Sequence, residues 1–219
     1  MFFFEKRNRK TVIPCRVRVL TRATTSQKFF AAVFQKRRTF LLPLFVCACT
    51  SADPTYYTLQ VVDGARLPGG PPSVEVRRPG LAGYLDRADI VLKSASYRLD
   101  VNSQARWAEP LGDMIGRVLA EDLAQRLPNS SVFTQSGAIT ADPAVRVEVD
   151  ILRFDADASG QVELVAELAV ERGSSHQPIE TRHVALSATA TVPGAEGLAG
   201  ALSGLLGQLA DLAAADSGK

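Results

Sequence analysis

Two hydrophobic periods divide residues 56–219. The first has period two, the mark of a strand with one buried face. It runs through Val145, Val147, Val149 and Ile151, with Arg146, Glu148 and Asp150 between them. Leu152 and Phe154 then change phase, which predicts a β-bulge. The same alternation recurs through Val162, Leu164, Ala166, Leu168 and Val170, and again through Arg182, Val184, Leu186, Ala188, Ala190 and Val192. Three long strands with one apolar and one mostly polar face describe a sheet that is wet on one side. Shorter strands are expected at Tyr56–Val61, Ser73–Arg77, Asp89–Lys93 and Tyr97–Val101, the last placing Tyr97, Leu99 and Val101 on one face. A loop over Asp63–Pro72, irregular chain over Pro79–Arg87 and a turn at Ser94–Ser96 separate them.

The second period is three to four. Leu111, Ile115, Val118, Leu119, Leu123 and Leu127 form one stripe, ended by Pro128-Asn129. Leu198, Leu202, Leu205, Leu209 and Leu212 form another. The first helix is expected to open within Arg106–Leu111, with Pro110 near its first position, where a missing N–H costs little. Glu109 and Asp113 would then sit at the positive end of the helix dipole. Both helices can cover the apolar face of the sheet. The expected fold is α+β, in two layers, with two main helices on one face of a largely antiparallel sheet.

Ahead of these elements lies a different pattern. Lys36-Arg37-Arg38 precedes the short apolar run Phe40–Ala48, which ends at Cys49. A basic patch, a short apolar core and small residues before a cysteine make a secretory signal. About ten apolar residues are too few to span a bilayer, which takes roughly 20. Val46-Cys47-Ala48-Cys49 is similar to a lipobox, in which the last cysteine is lipidated and the leader is cut before it. The other readings are an ordinary secretory signal or an uncleaved anchor. The expected organisation is a leader over 1–48, a tether over 49–55 and one domain over 56–219. The leader is longer than a signal requires, which fits a start placed too far upstream. No Met occurs between Met1 and Met114, so that start would be a non-Met codon such as that of Val33.

Removal of the leader changes the charge. The chain has 25 Lys/Arg and 23 Asp/Glu, but residues 1–48 hold eleven of the bases and one acid, so 14 bases and 22 acids remain from Cys49 on, a net of −8. Nucleic-acid binding loses its basic patch. Cys49 is the one cysteine left, so neither an internal disulfide nor a thiolate metal cage is expected.

No catalytic constellation is legible. His176 lies in a polar loop and His183 on the outward phase of a strand, so both are expected in solvent. Ser203 lacks the strand–turn–helix setting of a nucleophile elbow. Asp155–Gly160 copies the start of a calcium loop, but the required glutamate position holds Ala166, so a hairpin turn is expected. The chain is therefore expected not to be an enzyme, and to need no metal or cofactor beyond a covalent lipid on Cys49.

The remaining signals concern contacts. Trp107 either packs the start of the helix or docks a partner. Gly197, Gly200, Gly204 and Gly207 stud the last helix, where glycine costs about 1 kcal/mol against alanine. Either close packing or a subunit contact would offset that cost, the latter at Gly200 and Gly204. Leu81, Tyr84 and Leu85 are core fillers or a rim contact.

Tyr56-Tyr57-Thr58-Leu59 soon after a lipidated cysteine, Tyr84-Leu85-Asp86-Arg87 before a strand, and Arg106-Trp107-Ala108-Glu109-Pro110-Leu111 together resemble the PqiC/YmbA auxiliary lipoproteins. The resemblance spans Cys49–Lys219, and the Arg106–Leu111 block is its specific part. It implies an outer-membrane lipoprotein on the periplasmic side. Such a protein docks an MCE-domain protein anchored in the inner membrane and supports lipid movement between the membranes and envelope integrity. It also implies that the protein can form homo-oligomers. Tyr84, Leu85, Arg106, Trp107, Glu109, Gly200 and Gly204 are then the interface candidates. The competing reading is a stand-alone lipoprotein that assists assembly of an outer-membrane β-barrel machine, as in lipopolysaccharide assembly.

Overall fold

A computed structural model describes residues 53–135, 141–173 and 175–219. The leader and Cys49 lie outside the described residues. In order, the elements are β1 (Thr55–Tyr57), β2 (Ser73–Val76), β3 (Gly80–Leu81), β4 (Asp89–Ala95), β5 (Arg98–Trp107), α1 (Leu111–Arg126), β6 (Ser131–Thr134), β7 (Val145–Asp157), β8 (Gln161–Arg172), β9 (Pro178–Thr189) and α2 (Ala195–Ser217).

Strand β7 is the spine. Its 13 residues span about 43 Å at strand rise. One edge pairs antiparallel with β8, from Val145↔Arg172 to Ala156↔Val162, and β8 pairs antiparallel with β9. The other edge is shared end to end by three short parallel strands: β2 at Val145–Val147, β3 at Asp150–Ile151 and β4 at Ala156–Asp157. β6 extends β2, and β5 and β1 extend β4. The sheet is mixed and mostly antiparallel, with both helices packed on it, as the two-layer α+β expectation required. The β7–β8 register skips at Leu152, between Ile151 and Arg153, where the phase change predicted a bulge.

The inward residues of β7 and β8 are almost fully buried under the helices. α1 contributes Leu111, Met114, Ile115, Val118, Leu119 and Leu123, and α2 contributes Leu198, Leu202, Leu205, Leu206 and Leu209. By length and composition α2 matches a membrane span, but most of it is buried within this core.

β3 lies in chain expected to be irregular, and Tyr97 falls in the β4–β5 turn rather than on a strand. Two further expectations change. The first strand stops at Tyr57 rather than Val61, because the chain then leaves the sheet edge and crosses both helices. There its backbone N–H groups find side-chain acceptors instead of a strand ladder. Leu59 N–H donates to Met114 Sδ (3.2 Å), Gln60 N–H to Ser203 Oγ (3.0 Å) and Val62 N–H to Asp122 Oδ1 (2.8 Å). The second change is at Arg106-Trp107. These residues end β5, where they pair with Tyr56 and Tyr57 of β1, and do not open the helix. α1 starts at Leu111 with Pro110 as its N-cap, so Glu109 lies outside the helix. A residue before proline is biased away from helical geometry, which holds the boundary there.

Candidate functional site

The Arg106–Leu111 block forms a corner between sheet and helix. Trp107 is 5% exposed, and its backbone N–H donates to Ala88 O (2.8 Å). Ala108 N–H donates to Tyr57 O (2.8 Å), so the block is fixed from two sides. The Arg106 guanidinium reaches Asp89 Oδ1 at 2.9 Å, and Glu109 Oε1 meets Arg117 Nη2 at 2.6 Å. Both pairs are partly solvated, where such a bridge contributes at most about 1 kcal/mol. A cleft of about 330 Å³ lies over this corner, between Asp86–Ala88 and Trp107–Leu111. Of the interface candidates, Trp107 and Leu85 belong to the core, Leu85 at 3% exposure. Both side chains are spent on packing inside the domain. Arg106 and Glu109 remain accessible at the rim.

Tyr84 is half-buried. Its hydroxyl donates to Asp155 Oδ2 at 2.5 Å. Burial pushes the Asp155 carboxyl up from its ordinary range, against the hydrogen bond from Tyr84 and the positive charge of Arg153. Burial also raises the Tyr84 phenol, helped by Asp155. The pair ties the segment after β3 to β7, so the phenol is engaged internally.

The four glycines of α2 divide into two kinds. A Cβ on Gly197 would lie 1.8 Å from Val192 O, and one on Gly207 would lie 3.1 Å from Val62 Cβ, so these two permit close approach. Gly200 and Gly204 have open space where their Cβ would be.

A buried ion cluster, unseen in the sequence reading, joins both helices to the crossing segment. Arg126 is 1% exposed. Its Nε donates to Asp211 Oδ1 (2.6 Å), Nη1 to Val62 O (3.1 Å) and Asp122 O (3.0 Å), and Nη2 to Gly207 O (2.9 Å). Asp122 is fully buried beneath it, with Oδ1 3.6 Å from Arg126 Nη1, and burial raises its carboxyl. The i,i+4 spacing of Asp122 and Arg126 was the available sequence signal, but that spacing usually marks an exposed pair.

Ser203 and Asp157 serve local structure. Ser203 is 2% exposed and donates to Ala199 O at 2.7 Å while accepting Gln60 N–H. Asp157 closes the β7–β8 hairpin by accepting Ser159 N–H (2.8 Å), Ser159 Oγ–H (2.6 Å) and Gln161 N–H (3.1 Å), with Gly160 at φ +83°. Those bonds hold the Asp157 carboxyl below its ordinary value. His183 stands on the exposed face beside Glu167, at 2.7 Å, and His176 is exposed in the β8–β9 loop. Among the described residues, no group of three or more His, Cys, Asp or Glu is placed to hold a metal ion.

Among solved structures, an uncharacterised protein superposes with a TM-score of 0.64 at 18% identity, covering 75% of this chain and 99% of its own. A Xanthomonas campestris protein of the DUF330 family superposes with a TM-score of 0.61 at 18% identity, covering 74% of this chain and 94% of its own. At these identities the likeness establishes the fold. Among curated proteins, none matches the sequence. Residues 57–214 match the family described as the ABC-type transport auxiliary lipoprotein component. The chain belongs to that family, the PqiC/YmbA group to which its Arg-Trp-Ala-Glu-Pro-Leu block pointed.

Proposed function

We propose that this protein is a membrane-anchored, non-enzymatic accessory subunit of an MCE-type lipid-transport system. It is lipidated on Cys49, held by the 49–55 tether on the periplasmic face of the outer membrane, and docks an inner-membrane-anchored MCE protein. The observation that carries this reading is the family match over residues 57–214, a family of transport auxiliary lipoproteins. Ser203 is buried and bonded to Ala199 O and Gln60 N–H, and Asp157 Oδ1 closes the β7–β8 hairpin. The covalent lipid is the one non-protein group the reading requires, and three acyl chains on the cysteine make detachment negligible, since two membrane signals already suffice for stable attachment.

In-cell crosslinking followed by purification of the native protein tests the partner. Recovery of an MCE-domain protein is the expected result. Recovery of an outer-membrane β-barrel instead would favour the assembly-lipoprotein reading. Homo-oligomers, read in the same experiment as crosslinked multiples of the chain, are compatible with either.

A further inference from the structure

One end of the sheet carries apolar side chains that the core does not use. β4 runs parallel to β7, with Lys93 opposite Asp157, the last residue of β7. The β4–β5 hairpin therefore projects beyond the spine. Its turn presents Tyr97, which is fully exposed, and β5 continues with Leu99 and Val101, both more than 40% exposed. Leu99 stands opposite Lys93 and Val101 opposite Val91. Leu152, extruded by the bulge in β7, joins Tyr97 and Leu99 in a depression of about 360 Å³.

The end of β9 lies on the same side, since Thr189 pairs with Gln161 at the start of β8. There the exposed Val192 borders an open cleft of about 460 Å³, where Leu92, Ala156, Ala190 and Leu198 meet the Asp157–Gly160 turn. Exposed apolar points are ordinary when scattered. Of the six large apolar side chains exposed among the described residues, four share one end or its rim: Tyr97, Leu99, Leu152 and Val192.

The direction of the tether identifies what covers them. β1 runs parallel to β5, with Thr55 opposite Ala105, so the chain enters β1 from the side on which Tyr97 lies. From Cys49 to Thr55 the chain reaches about 20 Å at full stretch. From the level of Ala105 to Tyr97 the hairpin extends about 26 Å. A cysteine held at a bilayer surface on that side cannot keep the surface clear of the hairpin. The shortfall is about 6 Å, within the 5–10 Å depth of interfacial insertion.

We propose that this end of the domain is a bilayer-facing surface, with the Tyr97–Leu99 tip inserted at the lipid interface and Val192 beside it. The inference rests on the anchoring at Cys49 proposed above. Tyrosine suits the headgroup level, where its ring is shielded and its hydroxyl stays wet. Arg98 and Asp100, which pair at 2.8 Å next to the tip, confine it to the interface and out of the hydrocarbon. The lipid acts as a depth stop and orientation device. It holds the opposite end of the sheet, where β7 begins and β8 ends, toward the periplasm.

The test uses the full-length lipidated protein carrying Tyr97→Trp or, separately, Val101→Trp. Each is reconstituted into phosphatidylethanolamine/phosphatidylglycerol vesicles with and without acyl-brominated lipid. The parent protein, with buried Trp107 alone, supplies the background. The expected result is at least twofold quenching at position 97 and weaker quenching at position 101, which lies about 13 Å farther from the tip. Protein that floats with vesicles yet shows no quenching at 97 overturns the proposal and leaves the anchor standing. Protein that fails to float removes the anchor and the proposal with it. An emission shift that grows with protein concentration and ignores bromine assigns the tip to a second copy, paired along the β5 edge at residues 98–104, and also overturns the proposal.

Discussion

Replacement of Arg126 by methionine is the sharpest perturbation of the fold. Methionine retains the apolar stem and removes the guanidinium. Asp211 is half-exposed and returns to water at little cost. Asp122 cannot, because it is fully buried and its Oδ2 already lacks a hydrogen-bond partner in the protein. The carbonyls of Val62 and Gly207 also lose their donors. Removing one member of a buried pair costs about 3–5 kcal/mol. Domains of this kind have about 5–15 kcal/mol in all. Urea unfolding of the unlipidated Cys49→Ser form, followed by the fluorescence of buried Trp107, measures the loss. The pH dependence identifies its cause. Burial already raises the Asp122 carboxyl and Arg126 opposes that rise, so the variant raises it further. A carboxyl with a raised folded value contributes stability that is full below its unfolded value and is lost as pH climbs through the folded one. The cost of Arg126→Met is therefore smaller at pH 4, toward which Asp122 takes up its proton, than at pH 7. A loss below about 1 kcal/mol at pH 7, or one of equal size at both pH values, would refute the buried-charge argument.

Tyr84→Phe removes the donor to Asp155 and costs about 1–3 kcal/mol at neutral pH, less once Asp155 is protonated. Because the phenol is raised in the folded state, the parent also loses stability as pH rises above about 10 toward that folded value, a loss absent from the variant. Unfolding curves of both proteins at pH 4, 7 and 10.5 read both effects. Gly200→Ala, with open space at its Cβ, stabilises the isolated domain by about 1 kcal/mol by thermal melting. Gly197→Ala drives a methyl into Val192 O and lowers the melting temperature. If Gly200→Ala also weakens the crosslinked assembly, that face of α2 is a contact, and an unchanged assembly excludes it.

The long strands, the bulge and the two helical stripes were legible because each rests on neighbours within a few residues. Val147, Val149 and Ile151 share a face by the pleat alone, and Leu152 betrays the extra residue by breaking the phase. The fate of the chain after Tyr57 was not legible. Tyr56–Val61 has strand composition throughout, yet Gln60 finds its partner on Ser203, 143 residues away. Trp107 was misplaced for a related reason. Whether it closes a strand or opens a helix depends on β1 pairing along β5, which local propensity does not encode.

By itself the sequence determined the α+β class, the two-layer arrangement, a hairpin turn within Asp155–Gly160 and the motif block that marks the family. All of these follow from side-chain periodicity and short-range backbone chemistry. Only the tertiary structure decided that three parallel strands share one edge of β7, that Leu85 and Trp107 are core, and that Arg126 is buried between two helices. It alone turned the face of Tyr97 and Leu99 away from the core, on the side from which the chain enters β1. Such outcomes depend on which distant segments meet, and the free energy of those meetings resides in burial and pairing across the fold.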